Sequence, residues 1–233
     1  MSSVRHIGMM MAVAATLAAC SSDSSERKGL PTVIAGTLKS AIAARRAGKA
    51  ESTQVTPKML AETKIAALQV NPERAGGSDF LRRIAQRRDS NGMLNEVWQS
   101  SDSAQIFLRN GVLVGTRGVG TDIISSDASA IIRAVDAKGS RRGTRRYVVS
   151  DGDNTSETVT FRCAIDNLGQ EGIFIVNQSF DTVHLRETCI GGPSGEVSIS
   201  NDYWVLSQSG LVKKSRQWAG PASGYFEMIL LKN

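Results

Sequence analysis

From Asp79 to the C-terminus the chain is a succession of short runs rich in β-branched and aromatic residues, each ended by a turn signal. The runs are "FLRRIAQRRD", "MLNEVWQSS", "AQIFLR", "VLVGTRG", "RRYVVS", "ETVTFRCAI", "GIFIVNQ", "TVHLRETC", "EVSISNDYWVL", "GLVKKSRQW" and "GYFEMILLK". Their spacing of roughly 8–12 residues is that of an all-β domain. Asn91-Gly92 and Asn110-Gly111 are the sharpest signals, because both central residues of a tight hairpin turn take positive φ. "FLRRIAQRR" has a composition a helix would accept, but the Asn-Gly turn that follows wants a strand on each side. Strands in such number with few helices between them predict an antiparallel β-barrel or sandwich.

The residues before this region have another texture. "TVIAGTLKSAIAARRAGKA" and "TPKMLAETKIAAL" are rich in Ala, Leu and Lys, and Thr56-Pro57 offers an N-cap followed by a first-turn proline. A helical segment is therefore expected over 31–75, closed by Asn71-Pro72 and Gly76-Gly77, followed by the β domain over 78–233. With 41% apolar and 21% charged residues, 31–233 is expected to fold as a single globular domain.

The extreme N-terminus, "MSSVRHIGMMMAVAATLAAC", has the pattern of an export signal: Arg5 and His6, an apolar run from Ile7 to Leu17, then small residues. The run is too short for a permanent membrane span, which needs about 20 apolar residues. "LAAC", Leu17 to Cys20, resembles a bacterial lipobox. Residues 1–19 are thus expected to be a lipoprotein signal peptide and Cys20 the lipid attachment point. Residues 20–30, polar and without periodicity, would tether the domain to the membrane. Ser21 after the cysteine, by resemblance to enterobacterial sorting rules, points to the outer membrane, with the domain facing the periplasm.

Cys163 and Cys189 remain once Cys20 is assigned to lipid. Each lies on the apolar parity of its run, with Phe161 and Ile165 in one and Val183 and Leu185 in the other. In an oxidising compartment a disulfide between strands is the expectation, with two buried free thiols as the alternative. The formal charge of +6 and pI near 9.5 call for an anionic partner: an acidic polysaccharide or anionic lipid head groups. Export argues against nucleic acid. "KGSRRGTRR", Lys138 to Arg146, holds no aromatics and two glycines, so a solvated loop is the simpler expectation and a binding patch the other.

Three glycines, Gly115, Gly118 and Gly120, follow the apolar run Val112–Val114 and invite comparison with a nucleotide-binding turn. Their spacing is G-x-x-G-x-G, not the dinucleotide G-x-G-x-x-G, and no Walker lysine follows. They are expected to be structural, allowing a bend or bulge.

Trp98 and Asp102, then "NGVLVGTRGVGTDI" at Asn110–Ile123, resemble the pattern of the YjbF/GfcB-like group 4 capsule polysaccharide lipoproteins. "NDYWVLSQSGLVKKSRQWAGP" is similar to that family's other hallmark through Asn201, Tyr203, Trp204, Ser215, Gln217, Trp218, Gly220 and Pro221. The resemblance implies an outer-membrane lipoprotein accessory to exopolysaccharide or capsule assembly and export, acting with other secretion proteins, and it supplies no catalytic residues. Trp98, Trp204 and Trp218, with Arg216 and Gln217 beside the last, are candidates for polysaccharide contact, since pyranose faces pack on aromatic rings. Burial of the tryptophans as core anchors is the stronger expectation in a chain with 5% aromatics.

An enzyme is the second class. His184 is the only histidine of the mature chain and is expected to be exposed with Thr182 and Arg186. No metal or cofactor set is evident, and "GPSGE" around Ser194 lacks the nucleophile elbow. Asp102, Asp122, Asp151 and Asp153 are carboxylates that a polysaccharide hydrolase or lyase would need in pairs. A groove lined by two carboxylates near an exposed tryptophan would favour that class; without one, a non-catalytic role is expected.

Overall fold

The computed structural model describes residues 54–150 and 155–233. The signal peptide, Cys20, the tether, most of the expected helical segment and the pair Asp151 and Asp153 lie outside the described residues. Twelve strands run in chain order: β1 (Ala67–Pro72), β2 (Asp79–Arg88), β3 (Leu94–Gln99), β4 (Gln105–Arg109), β5 (Val112–Arg117) and β6 (Ile123–Asp127). They continue with β7 (Arg141–Ser150), β8 (Ser156–Ile175), β9 (Gln178–Gly191), β10 (Val197–Leu206), β11 (Val212–Trp218) and β12 (Tyr225–Lys232). Helix α1 (Pro57–Glu62) precedes β1, and α2 (Ser129–Ala137) lies between β6 and β7.

Every neighbouring pair is antiparallel, in the order β5-β4-β3-β2-β1-β12-β11-β10-β9-β8-β7-β6. Pairing of β1 with β12 joins the first strand to the last, and the sheet curls into a nearly closed barrel whose seam falls between β5 and β6. One parity faces inward. Leu68, Val70, Leu81, Trp98, Ile106, Leu108, Tyr147, Phe161, Leu185, Tyr203, Val205, Phe226 and Met228 form a continuous core. The Asn110-Gly111 turn has φ of 50° and 76°, and Arg109 pairs with Val112, as a two-residue primed hairpin requires.

Among the described residues, helix formation before the barrel is shorter than expected. Thr56 Oγ1 accepts the Met59 amide at 3.2 Å and Pro57 opens α1, but the helix stops at Glu62. Residues 67–72, whose Ala67 and Leu68 suit a helix, instead form β1. Between β2 and β12 this segment completes two ladders and points Leu68 and Val70 inward, so tertiary pairing overrides a weak helical preference. "ETVTFRCAI" and "GIFIVNQ" are not two strands but the single β8, irregular at Asn167–Gly169. It turns into β9 through Val176 and Asn177, both at positive φ.

"KGSRRGTRR" is not a loop either. Arg141 to Arg146 belong to β7, with Arg145 inward and fully buried. Gly143, of the same parity, lies under α2, where a Cβ would collide with the Ala130 methyl. Its absence lets the helix settle against β7 with Ile131, Ala134 and Val135 buried.

Candidate functional site

The seam determines where polar groups must enter the core. The Arg109–Val112 pair directs the next residue's peptide groups, those of Leu113, away from β4 toward the unpaired edge. Buried edge groups need partners. Gln217 Oε1 accepts the Leu113 amide at 2.8 Å, and Arg145 Nη2 donates to the Leu113 carbonyl at 2.7 Å. Gln217 Nε2 also donates to the Gly111 carbonyl at 2.9 Å and to Ser215 Oγ at 3.0 Å. Side chains from β7 and β11 thus replace the missing ladder.

Around them a network closes. Arg145 Nη1 lies 3.0 Å from Glu187 Oε2, which also accepts from Asn201 Nδ2 at 2.7 Å. The Tyr203 hydroxyl sits 3.3 Å from Glu187 Oε2 and 3.2 Å from Gln217 Oε1. Asn201 Oδ1 receives the Trp218 amide at 2.7 Å. Burial depresses the Arg145 guanidinium, but the adjacent Glu187 carboxylate, with Tyr147 and Tyr203 added to it, outweighs burial and holds the group above its ordinary value. Burial pushes the Tyr147 and Tyr203 hydroxyls up.

Asn201, Tyr203, Ser215 and Gln217, four residues of the capsule-lipoprotein hallmark, are therefore internal staples. Gln217 and Trp98 are wholly enclosed and have no surface to offer a sugar. Arg145 and Glu187 were missed in the sequence, although both stand on the apolar parity of their strands, with Tyr147 and Val149 and with Leu185 and Cys189.

Cys163 and Cys189 form the expected disulfide, between directly paired residues of β8 and β9. Glu187 lies within 4.8 Å of both sulfurs. The disulfide leaves no thiolate to ligate, and the carboxylate is held by Arg145 and Asn201, so this cluster does not form a metal site.

The outer wall corrects the expectation for His184. It is 7% exposed, with Nδ1 2.7 Å from Glu171 Oε2 and Nε2 2.8 Å from Asp202 Oδ1. Its ring stacks on Trp204 at a centroid distance of 4.6 Å, and Lys214 Nζ approaches that ring to 5.2 Å. Pairing places His184 and Lys214 on opposite sides of Trp204, so a sugar finds its faces occupied. Trp218 is half-buried at the barrel end, edge-on to Tyr147 and Phe161. Arg216 pairs with Glu73 and lies 3.7 Å over the Tyr225 ring. On the same outer wall Arg142, Arg146 and Arg162 project from β7 and β8, all exposed, with Arg162 two residue positions from each of the other two, and Asp127 of β6 is paired with Arg146.

At one barrel end, where the loops after β1, β3, β5 and β11 meet, a pocket of about 380 Å³ opens. Its floor is Val70, Leu81, Ile106 and Phe226, and its rim carries Arg74, Asp79, Asp102 and Val119. The glycine-rich turn forms one side. Gly118 and Gly120 take φ of 77° and 115°, and Asp122 accepts the Gly118 and Val119 amides at 2.8 and 3.1 Å and the Thr116 hydroxyl at 3.1 Å. The amides a phosphate would need are used by the turn's own aspartate. Asp102 accepts the Ser100 hydroxyl. Two carboxylates, Asp79 and Asp102, do line this concavity, but no tryptophan does.

A twelve-strand antiparallel barrel with a stapled seam defines the structural class. The profile of the group 4 capsule polysaccharide lipoproteins, GfcB and YjbF, matches residues 35–231, and the chain belongs to that family. The crystal structure of the hypothetical lipoprotein YmcC from Escherichia coli (K12) superposes with a TM-score of 0.66 at 22% identity, covering 78% of this chain and 90% of that one. This likeness concerns the fold. No curated protein sequence matches the chain. Among the described residues no helix is long and apolar enough to cross a membrane.

Proposed function

We propose that this protein is an outer-membrane lipoprotein, anchored through acyl chains on Cys20 and facing the periplasm, that assists capsule or exopolysaccharide export without catalysing a reaction. The observation that carries the reading is membership of a capsule polysaccharide lipoprotein family whose hallmark residues here build the barrel. Asn201, Tyr203, Ser215 and Gln217 staple the seam, and Asp122 is spent on a turn. The Arg142–Arg146–Arg162 wall supports contact with an anionic chain. Partner secretion proteins would share the same membrane.

Deleting the gene is expected to lower surface polysaccharide while leaving cytoplasmic precursor synthesis unchanged, and Cys20→Ser is expected to release the protein from membranes. Unchanged surface polysaccharide would remove the export role. Membrane retention of Cys20→Ser with normal processing would remove the anchor.

Asp79 and Asp102 at the barrel mouth favour a polysaccharide hydrolase or lyase as the second reading. The hydrogen-bonding groups that grip a sugar ring are missing from the floor between them. Shortening of purified polysaccharide by the purified protein would move the assignment to that reading.

A further inference from the structure

The mouth pocket has a division that the export role does not use. Val70, Leu81, Ile106 and Phe226 are each at most 5% exposed in the chain as a whole, yet their side chains line the concavity. No hydrogen-bonding side chain stands among these four. Of the polar lining groups, Asp102, Ser223 and Arg74 sit at the rim with Ala75, Ala104 and Ala222, Asp79 is half-buried, and the buried Ser100 gives its hydroxyl to Asp102. The volume of about 380 Å³ falls within the ~300–1,000 Å³ typical of small-molecule sites.

An apolar floor below a polar rim discriminates among ligands. A sugar ring placed inside would lose water from every hydroxyl without replacement hydrogen bonds, which is costly. A hydrocarbon chain loses nothing of the kind and gains from leaving water. The rim then selects the head group. Among the described residues the exposed carboxylate on the rim is Asp102, and Arg74 Nη1 is directed to the carbonyls of Pro221 and Ala222, 2.7 Å from each. An anionic head would meet the Asp102 carboxylate there.

We propose that the barrel mouth is a binding site for the aliphatic tail of a single-chain amphiphile, with an uncharged or cationic head resting at Asp102 on the rim. This goes beyond the export role and does not rest on it.

The test uses the full chain carrying Cys20→Ser, purified oxidised and free of detergent, so that no acyl group of its own competes. Octylamine, decylamine, dodecylamine, dodecanol and dodecanoate are titrated below their micelle concentrations. Displacement of N-phenylnaphthylamine reports affinity, and native mass spectrometry reports stoichiometry. One ligand per chain is expected, with affinity rising by up to about fourfold per methylene until the pocket is filled. Dodecanoate should bind at least about tenfold more weakly than dodecylamine, and Asp102→Asn should narrow that gap while dodecanol affinity holds.

Ala75 and Ala222 are exposed rim positions, so Ala75→Trp and Ala222→Trp should each obstruct the mouth without unfolding the barrel and weaken binding about tenfold or more. Phe174→Ser, at the most exposed large apolar residue on the β8–β9 hairpin, should leave binding unchanged. Absent binding, affinity independent of chain length, or affinity untouched by both tryptophan variants would overturn the proposal. So would loss of binding on Phe174→Ser, which would place the site on the hairpin. None of these results alters the expected deletion phenotype, so the two readings fail separately.

Discussion

Arg145 shows how a basic residue becomes part of a core. It is 1% exposed, and it donates to the Leu113 carbonyl while facing Glu187 and Tyr203. Breaking a buried ion pair by removing one partner typically costs about 3–5 kcal/mol, because the other charge is left desolvated and alone. Arg145→Met is expected to cost that much in urea unfolding, and Arg145→Met/Glu187→Leu less than Arg145→Met alone. A single variant as stable as the parent would mean the seam is not stapled here. Glu227 sets part of the acid limb. Burial raises its carboxyl, but hydrogen bonds from Lys214 and Asn71 prevail and hold it below the ordinary carboxylate range. Its contribution is therefore complete above the unfolded-state value and lost as pH falls through the lower folded-state value. Glu227→Gln should flatten stability against pH over that acidic window, and an unchanged acid limb would deny the ion pair this role.

At the level of elements, β8 and β9 form the longest hairpin, tied by the Cys163–Cys189 disulfide with a sequence separation of 26. In the chain-entropy picture a loop of this size contributes roughly 3 kcal/mol, a model-dependent figure. Cys163→Ala/Cys189→Ala is expected to lower the urea midpoint accordingly, and to leave it unmoved if the ladder alone fixes the pair. Both cysteines were placed by alternation and the Asn110-Gly111 hairpin by turn chemistry, because both are local properties. Asn91-Gly92 also lies in a hairpin, but in a longer loop where only Gly92 takes positive φ. The same alternation put Arg145, Glu187 and Gln217 on inward faces, where their polarity concealed that they were core residues. β1 was illegible for a different reason: its strand state comes from β2 and β12, the latter more than a hundred residues away. His184 was placed on a polar face correctly, but Glu171, Asp202 and Trp204 cover it from β8 and β10, which no local pattern can show.

Over the whole molecule, charge and family membership carry the functional reading. Arg142, Arg146 and Arg162 on one wall should make any contact with an acidic polysaccharide salt-dependent, since the screening length falls from about 30 Å at low salt to about 8 Å at physiological ionic strength. Retention on an immobilised acidic polysaccharide should drop across that range and in Arg142→Gln/Arg146→Gln/Arg162→Gln. Salt-indifferent retention would leave the basic wall without a role. The central claim, an export function without catalysis, is tested most directly by measuring surface polysaccharide in a deletion strain complemented with Asp102→Asn. Restoration to the level given by the unaltered gene, at equal protein abundance, is the predicted result; failure to restore it would contradict the account by making the barrel-mouth carboxylate essential to polysaccharide output.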